Sequence, residues 1–141
     1  MADSNARLSR ILSSRLEDIP LFADELELWG ETHGVPRKVI NSVNLMLDEL
    51  ITNIVKYGYK GQPDGKIELH IALVEESIDV TVRDYGPPFN LLDVKEPDVS
   101  QELEERSVGG LGIFFVRQLA DQIFYRRDGD TNEVRLRKST K

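Results

Sequence analysis

Two pairs of alternating segments restrict the fold of this chain most strongly. Apolar and polar residues alternate over 67–73 and again over 78–82, with a short polar turn between the two runs. A second pair, 122–127 and 133–138, flanks Asp128-Gly129-Asp130, a composition typical of hairpin turns. Alternation with a period of two predicts strands that are buried on one face. Because a tight turn joins antiparallel neighbours, the sequence predicts an antiparallel sheet.

The other periodic segments predict helices. One helix is expected near 20–33, a second from Pro36 over about five turns, and a third over 112–120. The apolar stripe of the second helix consists of Val39, Val43, Met46, Leu50 and Ile54. Segment 7–16 fits a helix and a strand equally well. Helices segregated to one face of a mostly antiparallel sheet form a two-layer α+β sandwich, which is the predicted fold class.

Length and charge limit the function classes that this chain can serve. At 141 residues it is expected to form one domain, 1–141, and no apolar run approaches the roughly 18 residues of a membrane-spanning helix. The N-terminus lacks the apolar segment of a signal peptide, so a cytoplasmic protein with no membrane contact is expected. A formal net charge of −7 opposes nucleic-acid binding and favours protein partners or small ligands.

Glu49, Asn53 and Lys56 form the first group of residues suited to chemistry. Their spacing of i, i+4 and i+7 places them on one face of the second helix, beside its apolar stripe. The carboxamide oxygen of Asn53 can bind magnesium, and the carboxylate of Glu49 can act as a base or position a water. A solvated flank held by ion pairs is the alternative explanation of this spacing.

Asp84 follows the strand at 78–82 and is an even number of residues from the apolar residues predicted to be buried. Its carboxylate is therefore expected to point inward if the strand continues. An unpaired buried carboxylate is costly, and the exocyclic amine of a purine is one donor that a ligand would bring. Gly86 permits a tight turn, and Pro87-Pro88 stiffens the chain after it. The alternative is a strand-ending aspartate in a turn that binds nothing.

Gly109-Gly110-Leu111-Gly112 is predicted to precede the third helix, where free backbone N–H groups favour a phosphate. Glycine runs before helices are more often only turns. No periodic pattern spans 85–107, and six carboxylates lie between Asp93 and Glu105. A loop of this length in a compact domain is typical of a functional lid, with a short helix at 99–105 as one option.

Together the three motifs resemble those of the ATPase superfamily that includes gyrase, histidine kinases and MutL. Glu49-x-x-x-Asn53, followed by Lys56-Tyr57-Gly58, is similar to the N-box of that superfamily. Asp84-x-Gly86-x-Pro88-Phe89 resembles its first glycine box, and Gly109-Gly110-Leu111-Gly112 resembles its second. Within the superfamily, Gly58-Tyr59-Lys60-Gly61 and the form of the first glycine box are similar to the anti-sigma factor serine/threonine kinases of bacterial partner-switching systems.

The resemblance implies a Bergerat fold, in which 7–16 is a strand and 85–108 is an ATP lid. It implies that Glu49 is the catalytic base or water-positioning residue, that Asn53 is the Mg²⁺ ligand, and that Asp84 binds the adenine amine. The predicted ATP-binding set is Asn53, Lys56, Asp84, Gly86, Pro88, Gly109, Gly110, Leu111 and Gly112. Lys56 stands where the family commonly has histidine, and Asn132 falls near a polar position that often lies close to adenine.

The resemblance also implies a function. It is that of a homodimeric, ATP- and Mg²⁺-dependent kinase that phosphorylates a serine or threonine of an antagonist (anti-anti-sigma) protein and otherwise sequesters a sigma factor. One alternative is a non-catalytic ATP-sensing module that switches protein partners, which the presence of Glu49 disfavours. Another is the detached catalytic domain of a histidine kinase, which the lack of a preceding phosphoacceptor helix disfavours.

Overall fold

The computed structural model describes residues 6–93 and 108–141, and it confirms the predicted α+β sandwich. The elements are β1 (Arg7–Ser13), α1 (Asp18–Thr32), α2 (Arg37–Asn53), β2 (Lys66–Val74), β3 (Ser77–Asp84), α3 (Val108–Leu119), β4 (Gln122–Asp128) and β5 (Thr131–Ser139). The strands form one antiparallel sheet in the order β1-β2-β3-β5-β4. In these two stretches of chain, no helix is both long and apolar enough to cross a lipid bilayer.

The core lies between one face of the sheet and the helices. Alternate residues of β2 and β3 are buried there, as their period of two predicts. They are Ile67, Leu69, Ile71, Leu73, Ile78, Val80, Val82 and Asp84. Helix α2 packs against both α1 and α3. At Gly30, an added Cβ would lie 2.5 Å from Cγ1 of Ile40, so α1 and α2 approach each other closely.

In segment 7–16, which periodicity leaves ambiguous, residues 7–13 form strand β1, where Leu8 pairs with Ile71 of β2. The Bergerat resemblance predicts this strand. The prediction that the glycine run precedes the third helix is wrong, because α3 begins at Val108 and includes Gly109 and Gly110. Glycine has low helix propensity, but the burial of Ile113 in the core offsets that preference.

Two predictions concern the segment that connects β3 to α3. Its first part, residues 85–93, turns back over the sheet and ends in a 3₁₀ turn, Leu91–Asp93, whose first residue is buried. The rest of the predicted lid, including the helix suggested at 99–105, lies outside the described residues. The described part is thus a packed turn rather than an unstructured loop.

Candidate nucleotide-binding site

A cavity of about 170 Å³ lies between the end of α2, the central strands β3 and β5, and the turn that follows β3. Its walls are mainly apolar. They include Leu50, Ile54, Val82, Leu91, Ile113 and Val134. Three buried polar side chains, Asn53, Asp84 and Asn132, also line it. Apolar walls with a few fixed polar groups are typical of small-molecule sites.

Asp84 is the last residue of β3, and its side chain is buried as its parity predicts. Its Oδ1 accepts two hydrogen bonds, from the backbone N of Gly86 at 2.9 Å and from Nδ2 of Asn132 at 3.0 Å. Burial raises the pKa of the Asp84 carboxyl, and these two hydrogen bonds and the Arg127 guanidinium oppose that rise. No described residue donates to Oδ2, which remains able to accept from a ligand.

Gly86 allows the turn after β3 to press against the end of α2. An added Cβ at Gly86 would lie 3.1 Å from Oδ1 of Asp84 and 3.3 Å from the carbonyl oxygen of Gly58. Arg127 of β4 donates from Nη1 to the Gly86 carbonyl oxygen at 2.8 Å and holds the turn from the other side. Pro88, which follows in the predicted motif, lines the cavity. A side chain at Gly86 would therefore disturb the position of Asp84.

Asn53 ends α2 and points its carboxamide toward the cavity wall. Its Nδ2 donates to the backbone oxygen of Glu49 at 2.7 Å. Because this hydrogen bond occupies the nitrogen, Oδ1 is left as the acceptor, and no described residue donates to it. A π-helical turn, Ile54–Gly58, follows immediately, with Tyr59 N donating to Ile54 O at 2.8 Å. π-helical turns are frequent at functional sites.

Glu49 lies one turn before Asn53 on α2, and its side chain extends toward the beginning of α3. A Cβ added at Gly112 would overlap Oε2 of Glu49, so the glycine makes room for the carboxylate. Burial raises the pKa of the Glu49 carboxyl, the neighbouring Asp48 raises it further, and Lys56 lowers it. A carboxylate with a raised pKa is suited to accept a proton.

Lys56 does not share the cavity with Asn53. It is exposed and is not among the described residues that line the cavity walls. The prediction of one common face assumed 3.6 residues per turn, whereas Lys56 lies in the π-helical turn, which winds differently. Its ammonium remains near enough to lower the pKa of Glu49.

The second glycine motif forms the first turn of α3 rather than a loop before it. Gly109, Gly110 and Leu111 are helical, and the first four N–H groups of a helix have no partner within it. This end of α3 therefore retains the backbone donors that a phosphate requires, although the motif was expected to lie outside the helix. Gly112 is buried beside Glu49.

The oxygen atoms near the end of α2 suit a magnesium ion bound together with phosphates. Mg²⁺ usually takes one or two protein oxygens and completes its shell with phosphate oxygens and water. Oδ1 of Asn53 is one such oxygen, with Glu49 one turn away. Among the described residues there is no cluster of three or more acidic or histidine side chains that would hold a metal without a nucleotide.

A network around Asn132 was not predicted in full. The sequence indicates Asn132 only through its resemblance to a position near adenine, and it gives no role to Tyr125 or Arg127. In the structure Tyr125 donates from its hydroxyl to Oδ1 of Asn132 at 2.6 Å. The alternation of β4 is the signal that was available, since Ile123, Tyr125 and Arg127 share the face that points toward the helices.

Comparison with known proteins identifies the family of this chain. Residues 12–138 match the family described as histidine kinase-like ATPase domain. The chain belongs to this family. A Listeria monocytogenes protein named serine-protein kinase RsbW is 29% identical over 127 residues, which cover 87% of this chain and 81% of the relative. The Bacillus subtilis protein of the same name is 28% identical over 89 residues, 60% of this chain and 55% of the relative.

Two solved structures share the fold of this ATPase domain. The RsbU and RsbW domains of a Mycobacterium tuberculosis protein superpose with a TM-score of 0.68 and 15% identity, covering 94% of this chain and 32% of that one. The Acinetobacter baumannii histidine kinase AdeS gives a TM-score of 0.52 at 13% identity, covering 94% and 68% of the two chains. The resemblance based on three short motifs is therefore confirmed at the level of family and fold.

Proposed function

We propose that this protein is an ATP-dependent serine/threonine protein kinase that phosphorylates an antagonist protein and sequesters a sigma factor. The observation that carries the proposal is the meeting of Asn53 and Asp84 in one cavity, with Glu49 next to Asn53. Membership of the ATPase family supports the use of ATP. The relatives named serine-protein kinase RsbW support the protein kinase activity and the two protein partners.

The adenine base would occupy the apolar part of the cavity. Oδ2 of Asp84 would accept a hydrogen bond from the exocyclic amine, while Oδ1 is already bound to Gly86 and Asn132. Pro88 would lie against the base from the turn after β3. The phosphates would extend toward Asn53 and the N-terminal N–H groups of α3, at Gly109 to Gly112.

The reacting end of the nucleotide would lie near Asn53 and Glu49. Asn53 Oδ1 would hold the magnesium ion, which offsets phosphate charge when bound. Glu49 would accept the proton of the serine or threonine hydroxyl, because its raised pKa favours that transfer. Lys56 would lower the pKa of Glu49 from outside the cavity. Residues 85–108 would act as a lid within one domain, 1–141.

We place the kinase in the cytoplasm as a homodimer, since ATP and sigma factors are found there. Among the described residues, no strand pairs with the outer edge of β1, and α1, which contacts β1, exposes Leu21 and Leu28. An unpaired strand edge beside exposed leucines is suited to a second copy of the chain. Light scattering coupled to size-exclusion chromatography should give twice the mass of one chain, and a monomer at micromolar concentration would contradict the dimer.

The kinase proposal is tested by capturing partners from a native lysate with and without ATP and assaying each for phosphate transfer from labelled ATP. We expect one captured protein to become phosphorylated on serine or threonine, and the rate of transfer to fall by about a hundredfold or more, to a measurable residual rate, for Glu49→Ala. If that substitution leaves the rate of transfer unchanged, Glu49 is not catalytic. If no captured protein accepts phosphate although ATP changes which proteins are captured, the ATP-sensing module is the better description.

A further inference from the structure

Asn132 is fully committed to contacts within the protein. It is only 4% exposed, and each of its side-chain hydrogen-bonding positions is occupied. Nδ2 donates to Oδ1 of Asp84 at 3.0 Å and to the carbonyl oxygen of Pro87 at 2.8 Å. Oδ1 accepts from the hydroxyl of Tyr125 at 2.6 Å and from the backbone N of Phe89 at 3.1 Å. A carboxamide has two donor hydrogens and two acceptor lone pairs, so nothing remains for a ligand.

The two backbone groups determine which way the carboxamide faces. The N–H of Phe89 can only donate and the carbonyl of Pro87 can only accept. Asn132 must therefore turn its oxygen to Phe89 and its nitrogen to Pro87, which directs the second N–H at Asp84. The hydroxyl of Tyr125 donates to the same oxygen and strengthens this orientation.

This orientation has a consequence for Asp84. Its Oδ1 receives two donors, from Asn132 and from the backbone of Gly86, and donors of this kind favour the ionised carboxylate. Its Oδ2 is left as a pure acceptor at the cavity wall. An ionised carboxylate accepts from an amine and repels a carbonyl oxygen. The site can therefore discriminate between adenine, which has a 6-amino group, and guanine, which has a 6-oxo group.

We infer that Tyr125 and Asn132 are positioning residues that lock Asp84 as an acceptor and so give the site its preference for adenine over guanine. The inference rests on the proposed nucleotide site and goes beyond it. It assigns a role to Tyr125, which is not among the described residues that line the cavity. It also differs from the resemblance, because Asn132 acts through Asp84 and not by contact with the base.

Calorimetric titration of ADP and of GDP, each with Mg²⁺, tests this arrangement in the full chain. The unmodified protein should prefer ADP by more than about a hundredfold, since a site built around a hydrogen bond rejects a base that lacks it. Tyr125→Phe removes the hydroxyl and keeps the ring. We expect it to weaken ADP binding by about two- to tenfold and to leave GDP binding unchanged, so that the preference falls.

Tyr85→Phe is the matched control. Tyr85 also donates a 2.6 Å hydrogen bond, to Glu68, but it lies on the open face of the sheet away from the cavity. This variant should retain the full preference for ADP. Asn132→Leu provides a second test, because it removes both donors and both acceptors and should lower the preference by more than about tenfold.

The outcomes are distinct. If Tyr125→Phe keeps the full preference while Asn132→Leu loses it, Tyr125 has no positioning role and the inference is wrong. An unchanged preference in both variants contradicts it as well. If Asn132→Leu does not fold, the comparison of Tyr125→Phe with Tyr85→Phe decides alone. Failure of the unmodified protein to bind ADP would contradict the proposed function itself, and this inference with it.

Discussion

Asp84 would help nucleotide binding in the proposed site, and its burial has a cost for folding. Because burial raises its pKa, the folded protein holds the ionised carboxylate less favourably than the unfolded chain does. The free energy of unfolding should therefore fall as the pH rises from the ordinary pKa of 3.8 through the raised pKa, and the loss is complete above the raised pKa. Asp84→Asn keeps the shape of the side chain and removes the charge.

We expect Asp84→Asn without ligand to have a higher urea midpoint than the unmodified protein at pH 7, and a smaller difference near pH 3, where the carboxyl is protonated. The same variant should lose affinity for ADP, since it presents a donor to the adenine amine. Urea denaturation at the two pH values measures the first effect, and calorimetry the second. A lower midpoint at pH 7 would show that the charge stabilises the fold.

Glu49 should give the kinase reaction a characteristic pH dependence. Its carboxylate must be ionised to accept a proton, so the rate of phosphate transfer should fall as the pH drops through its pKa. That pKa lies above the ordinary value of 4.5 because of burial and Asp48. Single-turnover rates measured against pH should therefore show an acid limb that Glu49→Gln lacks.

Two charged neighbours of Glu49 should shift this pH profile in opposite directions when they are replaced. Asp48 raises the pKa of Glu49 and Lys56 lowers it. Asp48→Asn should therefore shift the acid limb to lower pH, and Lys56→Met should shift it to higher pH. Shifts in the same direction for both variants, or none for either, would assign the acid limb to another group.

The positions of single side chains could be predicted from the sequence where they depend on one strand or one helix. Parity along one strand was sufficient to predict the burial of Asp84, and helical spacing was sufficient to bring Glu49 and Asn53 together. The links from Asn132 to Tyr125 and to Phe89 depend on strand register and on the course of the turn after β3. Neither is encoded by a short motif.

Among the secondary-structure elements, the packing of α3 against α2 determines where the Glu49 carboxylate can lie. An added methyl group at Gly112 would overlap the Glu49 carboxylate, which is the free end of a flexible side chain. Gly112→Ala should therefore move Glu49 and leave the fold intact, since alanine is favoured over glycine inside a helix. We expect the rate of phosphate transfer to fall by more than about tenfold with the thermal midpoint unchanged or higher.

A double-mutant cycle separates this effect from a general disturbance of α3. If Gly112 acts through Glu49, then Gly112→Ala should have little further effect on transfer in a Glu49→Ala background. Additive losses would mean that the start of α3 contributes independently, for example through its backbone N–H groups. A large fall in thermal midpoint for the single variant would instead place the defect in folding.

Helices and strands were predicted well where the apolar pattern repeats over many residues, and less well at their ends. The stripe along α2 and the two hairpins could be predicted because burial imposes their period on the sequence. The π-helical turn at Ile54–Gly58 could not, since the apolar stripe of α2 continues to Ile54 at the ordinary helical spacing. The start of α3 was predicted too late because packing of Ile113 offsets the low helix propensity of the preceding glycines.

At the scale of the whole molecule, both layers of the sandwich contribute to the proposed site. The sheet provides Asp84 and Asn132, and the helical layer provides Asn53, Glu49 and the N-terminus of α3. A nucleotide would therefore connect the two layers, with its base against the sheet and its phosphates against the helices. One cavity between these layers would then bind Mg²⁺ and ATP together.

Calorimetric titration of ATP, with and without Mg²⁺, measures whether the cavity binds the two together. The unmodified protein should bind ATP more tightly with Mg²⁺, and Asn53→Ala should abolish Mg-ATP binding because the magnesium ligand is lost. Asn44→Ala is the matched control, since Asn44 lies earlier on α2 and bonds to the carbonyl of Ala23 outside the cavity. We expect loss of Mg-ATP binding for Asn53→Ala alone, and an unchanged affinity of that variant for Mg-ATP would show that this cavity does not bind Mg²⁺ together with the nucleotide.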